Sequence, residues 1–169
     1  MTKHSQPQQD RIDQRRAYEA RNPFSRVDSA YAASRQQSMR ILQQTAGLTT
    51  VEWRVLWDLH AAGPMSIRDL AHIQRTDHSL LSRALPAMER KGLVRLTRGS
   101  KDARQVVVEL DTAGRAAYTA AAPYMKRRRD ALRATFTDSE TETFVDLLER
   151  FEEFLRQPID TILQPELTE

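Results

Sequence analysis

The 169-residue sequence contains no cysteine. That excludes disulfides, thiolate zinc sites, iron–sulfur clusters and cysteine redox chemistry. Glycine is scarce, with five in the chain, and none falls into the clusters that cradle phosphates or build a nucleophile elbow. The four histidines, His4, His60, His72 and His78, have neither thiol partners nor metal-ligand spacing. No apolar run approaches the ~20 residues of a membrane span. No apolar stretch follows the charges of residues 1–6, so no secretory signal is expected. These absences predict a cytoplasmic protein that is not an enzyme, holds no cofactor or metal, and has no membrane partner.

What is present is a folded composition, 40% hydrophobic and 29% charged, enough for a core. The net charge of +3 hides a strong asymmetry: residues 1–22 carry +2, residues 23–136 carry +9 and residues 137–169 carry −8. A basic body with an acidic end points toward nucleic acid, although a solvated surface gives the same count.

Residues 1–21 are polar, with Ile12 and Tyr18 as the only sizeable apolar side chains, and read as a flexible arm. Asn22 and Pro23 start a helix that keeps helical spacing from Phe24 through Tyr31, Ser34, Ser38, Ile41 and Leu42 to Gly47. Thr49 and Glu52 form a capping box for a second helix, ended by Gly63-Pro64. Ser66 caps a short third helix, residues 67–74, with Asp69 in its first turn. A fourth runs from Asp77 to Gly92 with Leu81, Leu85 and Met88 buried, and Pro86 predicts a bend near residues 82–85. Two strands, residues 93–98 and 105–110, flank a turn and make a hairpin. Asp111 or Thr112 caps a helix to about Thr135, with Pro123 bending it. Thr137 and Glu140 cap the last helix, which carries Phe144, Leu147, Leu148, Phe151 and Leu155 on one face and acids on the other.

Six helices with one hairpin predict a mainly α (α+β) fold. Helix, turn, helix and basic hairpin is the winged helix-turn-helix arrangement. A major groove about 12 Å wide accepts one helix, and side chains near its start reach base edges. Here that start offers His78, Ser79, Ser82 and Arg83. Residues 66–104 hold nine basic and four acidic groups, so positive charge peaks over this unit, where phosphates would be neutralised. Arg98, Lys101 and Arg104 lie at the hairpin tip, where an arginine suits the narrow minor groove. The predicted partner is double-stranded DNA.

The segment resembles the MarR (multiple antibiotic resistance regulator) family of bacterial winged-helix transcription factors. The resemblance runs through Leu48-Thr49 and Trp53-Arg54-Val55-Leu56, then Ser66-Ile67-Arg68-Asp69-Leu70-Ala71 and Leu81-Ser82-Arg83-Ala84-Leu85. It continues through Glu89-Arg90-Lys91-Gly92-Leu93-Val94 and Asp102-Ala103-Arg104 to Leu110 and Gly114. Pro86, and Asp111 where the family more often has Thr, depart from the pattern. The resemblance implies that Asp102 orients Arg104 toward the minor groove, that Ser66 joins the DNA-binding set, and that the protein is a homodimer on a near-palindromic operator. Expected boundaries are an arm (1–21), a dimerisation helix (22–47), a DNA-binding lobe (48–111), C-terminal dimerisation helices (112–157) and a tail (158–169).

The dimer interface expected from these parts includes Phe24, Phe144, Leu147, Leu148, Phe151 and Leu155. Packing within one chain is the other reading of the stripe from Phe144 to Leu155. Relatives of this kind release DNA when a small effector binds between lobe and dimer helices. Tyr31, Arg35, Trp53, Trp57 and Tyr118 would offer aromatic walls and one cation to a planar anion, such as an aromatic carboxylate or its coenzyme A thioester. Taken alone, either Trp53 or Trp57 is better read as a core anchor. The basic run Arg127-Arg128-Arg129 suits phosphates, the acidic last helix or solvent. The expected function is a ligand-released repressor; the alternative is an architectural DNA-binding dimer with no effector.

Overall fold

The computed structural model describes residues 6–98 and 106–163. Among these, eight helices and three strands form: α1 (Gln6–Arg21), α2 (Pro23–Ala46), α3 (Thr50–Ala62), β1 (Met65–Ser66), α4 (Ile67–Ile73), α5 (His78–Arg90), β2 (Val94–Arg98), β3 (Val106–Leu110), α6 (Thr112–Arg133), α7 (Asp138–Leu155) and α8 (Asp160–Leu163). The expected class holds, mainly helical with a β-hairpin wing, but six helices become eight.

The two additional helices lie at the ends. Residues 6–21, read as an arm, are helical because local side-chain pairs support a sequence with little apolar surface. Arg15 pairs with Glu19, Gln9 donates to Asp13 at 3.1 Å, and the Arg15 guanidinium lies 5.2 Å from the Tyr18 ring centre. Such i,i+3 and i,i+4 pairs are the local currency of helix stability. The short α8 falls in what was read as tail.

Capping chemistry sets most boundaries. Asn22 accepts from the Phe24 amide ahead of Pro23, while Thr49, Ser66 and Thr137 each form a complete capping box. The helix-turn-helix is closed by two turns of one kind. After α5, Gly92 (φ 67°) donates to Glu89 O at 2.8 Å and Leu93 to Met88 O at 3.0 Å. After α4, Arg75 (φ 48°) donates to His72 O at 3.2 Å and Thr76 to Ala71 O at 3.0 Å. Both are Schellman ends, in which a left-handed residue lets the chain reverse and satisfy the last carbonyls. Glycine is the favoured occupant, and at Arg75 an arginine takes the place.

The sheet is antiparallel with order β1-β3-β2. Met65 pairs with Val108, and Val94 through Arg98 pair with Leu110 through Val106. A hairpin was expected; the third strand is two residues long, too short to show a period of its own. Val94, Val108 and Leu110 point into the core.

The chain divides into two compact units, Met1–Met125 and Lys126–Glu169. In the first, Leu42, Leu48, Val55, Leu56, Leu59, Leu70, Leu81, Leu85 and Met88 join the strands in one apolar core. α5 runs through Pro86 as one helix, although the ring removes the N–H that would reach the Ser82 carbonyl. In the second unit, α7 has no buried residue and Phe136 stacks on Phe144 at 6.4 Å. Among the described residues no helix is long and apolar enough to cross a membrane.

Candidate nucleic-acid interface

The apolar stripe of α5, Leu81, Leu85 and Met88, is fully buried. At 100° per residue the opposite stripe is Ser79, Arg83, Pro86 and Arg90, with Ser82 beside it. All five are exposed, as is His78 at the first turn. Thirteen residues give a rod about 20 Å long, a length suited to one groove crossing.

The start of this helix is ordered by its own side chains. Asp77 accepts from the Ser79 amide at 2.7 Å, a bond that holds its carboxyl below the usual carboxylate range. Ser82 Oγ donates to Ser79 O at 3.1 Å and Arg83 Nε to the same oxygen at 3.0 Å. The donors predicted to read bases are therefore parked on the helix surface, where an exposed bond is readily exchanged for another.

Ser66 is different. It is buried, its hydroxyl donates to Asp69 Oδ2 at 2.7 Å, and it accepts from the Asp69 amide at 3.1 Å. Its side chain holds α4 in place and does not face solvent, a correction to its inclusion among the DNA-facing residues. Arg98 ends β2, exposed. Lys101, Asp102 and Arg104 lie outside the described residues.

Several contacts that hold α5 were not anticipated. Glu89 Oε1 accepts from the Leu96 amide on β2 at 3.0 Å, joining the helix to the hairpin. Lys91 Nζ donates to Glu52 Oε1 at 2.7 Å. Gln74 Nε2 donates to Asp58 Oδ2 at 2.7 Å, and Arg54 Nη2 to Gln74 O at 2.6 Å. Burial pushes the Glu52 carboxyl up, but the Lys91 and Thr49 bonds together outweigh it and leave it below its ordinary 4.5. The sequence marked Glu52 only as a capping residue and Gln74 only as a helix end.

Of the candidate effector residues, three converge. Trp53 is buried and stacks on Tyr118, centroids 5.4 Å apart and planes within 6°. Trp57 tilts against both, at 5.6 and 6.3 Å. His60, missed by the sequence reading, stacks on Tyr118 at 3.9 Å. A planar molecule between two rings needs about 7–8 Å, two carbon contact distances, so Trp53 and Tyr118 are not opposite walls of a slot. Tyr31 and Arg35 are exposed on α2, outside this stacked group. Phe24, Phe144, Leu147, Leu148 and Leu155 are exposed, and Phe151 is half-buried. Among the described residues no group of three His, Asp or Glu side chains is placed to hold a metal ion.

The MarR family model matches residues 48–106, which contain the whole helix-turn-helix and β2 and end at the first residue of β3. The homoprotocatechuate degradative operon repressor of Escherichia coli is 30% identical over 104 residues, spanning 62% of this chain and 70% of that protein. The chain belongs to the MarR family. It is therefore a DNA-binding transcriptional regulator and not an enzyme. The M. tuberculosis regulator MOSR, solved in complex with DNA, is 26% identical with a TM-score of 0.67, over 80% of this chain and 99% of that one. Bordetella bronchiseptica BpsR, whose DNA binding is regulated by 6-hydroxynicotinic acid, shares the fold: TM-score 0.65 and 22% identity over 79% of this chain and 94% of that one. As a MarR-family member, this chain carries a winged helix-turn-helix.

Proposed function

We propose that this MarR-family chain is a homodimeric repressor of a near-palindromic operator, released by a small aromatic carboxylate or its coenzyme A thioester. The observation that carries the DNA part is the exposed polar stripe of α5, with Ser79 and Arg83 set opposite a fully buried apolar stripe and Ser82 exposed beside them. In this reading α5 enters the major groove, with His78 at its leading end, while Arg98 and the hairpin residues Lys101, Asp102 and Arg104 serve the neighbouring minor groove. Phosphate contacts supply affinity and base edges supply the choice of sequence.

The dimer part is supported by the apolar face of α7. Phe144 is 56% and Leu147 53% exposed, and a contiguous apolar face of this kind marks an interaction surface. A two-fold partner would cover it and set two α5 helices about one DNA turn apart.

For the effector, the E. coli relative represses an operon for degrading homoprotocatechuate, an aromatic carboxylate, and BpsR responds to another. In this chain a ligand would use the outer edge formed by Trp57, Tyr118 and His60, since the Trp53–Tyr118 stack is already closed. The same closure favours the second reading, an architectural dimer in which these rings are solid core. A thermal-shift panel of aromatic acids and their thioesters, paired with DNA release, separates the two. Stabilisation with loss of DNA binding supports the repressor. No shift across the panel supports the architectural dimer.

A further inference from the structure

Among the described residues only three polar side chains are buried: Glu52, Ser66 and Gln74. Ser66 caps α4. The other two flank α5: Gln74, held by α3, precedes it, and Glu52, itself on α3, takes the residue that follows it.

Ahead of α5, Gln74 is the C-cap of α4 and is 7% exposed. Its side-chain amide donates to Asp58 and its main-chain carbonyl accepts from Arg54. Asp58 and Arg54 stand one turn apart on α3, so one helix face grips both the side chain and the backbone of Gln74. Arg75 then turns the chain in the left-handed region, and Asp77 caps α5. Behind α5, its C-cap Lys91 reaches Glu52, 6% exposed. The second carboxylate oxygen of Glu52 accepts from the Thr49 amide at 2.8 Å, so the acceptor is itself fixed in orientation.

Apolar burial cannot do this work, because it is non-directional and tolerates small sliding or rotation. Hydrogen bonds narrow the geometry to a few tenths of an ångström, and here each bond has one buried member, Gln74 or Glu52, whose polar group is costly to leave unpaired. We propose that Gln74 and Glu52 are positioning residues for DNA recognition: through Asp58, Arg54 and Lys91 they tie both ends of α5 to α3 and fix the pose in which Ser79, Ser82 and Arg83 meet base edges. The proposal rests on α5 being the recognition helix. Its signature is selective, because base contacts require that pose whereas long basic side chains still find phosphates.

The test uses the full chain and a duplex selected by the wild-type protein from a random pool, with the ratio of selected to random affinity as readout. Gln74→Glu places a second carboxylate against Asp58; adding Asp58→Asn restores a donor–acceptor pair with its direction reversed. Gln74→Glu is expected to lower the ratio about tenfold, within the range of one lost base contact, with random-DNA affinity nearly unchanged. The double variant is expected to recover most of the ratio, and Glu52→Gln to lower it at the other end. If Gln74→Glu does not fold, Gln74→Met removes the donor without adding charge and is read in the same way. An unchanged ratio, or equal losses on both duplexes with no recovery in the double variant, overturns the proposal. Arg83→Ala runs alongside: if it costs no discrimination, the assignment of α5 as recognition helix fails first and this inference falls with it.

Discussion

Replacing Gly114 by alanine isolates one close approach in the lobe. Gly114 lies in the first turn of α6, buried, where a Cβ would stand 1.9 Å from the Leu93 carbonyl oxygen, 2.8 Å from its carbon and 3.0 Å from Leu56 Cδ2. A carbon and a carbonyl oxygen ordinarily approach to about 3.3 Å, so α6 and the backbone at Leu93 must part by more than an ångström. That carbonyl also accepts from the Asp111 amide, and Leu93 closes the turn that ends α5. Against this, alanine gains at most about 1 kcal/mol in helix propensity. Overpacking costs about 1–3 kcal/mol or more, and loss of the hydrogen bond adds about 1 kcal/mol. A net destabilisation of about 1–3 kcal/mol follows, a shift of roughly 0.5–1.5 M in the urea midpoint for a protein of this size. Urea titrations at matched protein concentration measure it. A variant as stable as the parent, or more stable by the propensity gain alone, would refute the reasoning.

Three further outcomes are expected. Arg75→Gly removes the cost of a left-handed arginine and raises stability by about 0.5–1 kcal/mol; a loss of stability would show that the arginine's own contacts outweigh the strain. Leu147→Asp is expected to yield monomers in sedimentation while changing lobe stability by less than about 0.5 kcal/mol, and an intact dimer would move the interface elsewhere. Because Glu52 titrates below its unfolded value of 4.5, its stabilisation is complete above that pH and is lost as pH falls through the folded value. Glu52→Gln should accordingly flatten the acid limb of the stability curve below about pH 4.5, and an unaltered limb would contradict the Glu52–Lys91 pairing.

Much of the fold is written in local chemistry. Two capping boxes, the Ser66 cap, the Gly63-Pro64 stop and the Leu81–Leu85–Met88 spacing mark helix positions because each acts over three or four residues. The class of the site is legible for the same reason: a polar stripe opposite an apolar one is a property of a single helix. What escaped was longer in range or weaker in signal. The Glu52–Lys91 and Gln74–Asp58 bonds join residues 39 and 16 positions apart, and each member has an ordinary local role that accounts for it. α1 has no apolar stripe, so only its side-chain pairs reveal it. Ser66 looked available because capping and DNA contact call for the same residue type, and burial alone distinguishes them. The aromatic residues of α3 were ambiguous between wall and core; the parallel Trp53–Tyr118 stack makes Trp53 a core anchor.

The absence of cysteine offers the most direct test of the central claim. Ser79→Cys creates the sole thiol in the chain, to which a DNA-cleaving iron chelate is attached, and the cut positions on a selected duplex are mapped. If α5 is the recognition helix of a two-fold dimer, cleavage falls inside the major groove at two sites about one helical turn apart. Cleavage scattered along the duplex, or absent from DNA that the protein demonstrably binds, would contradict the account.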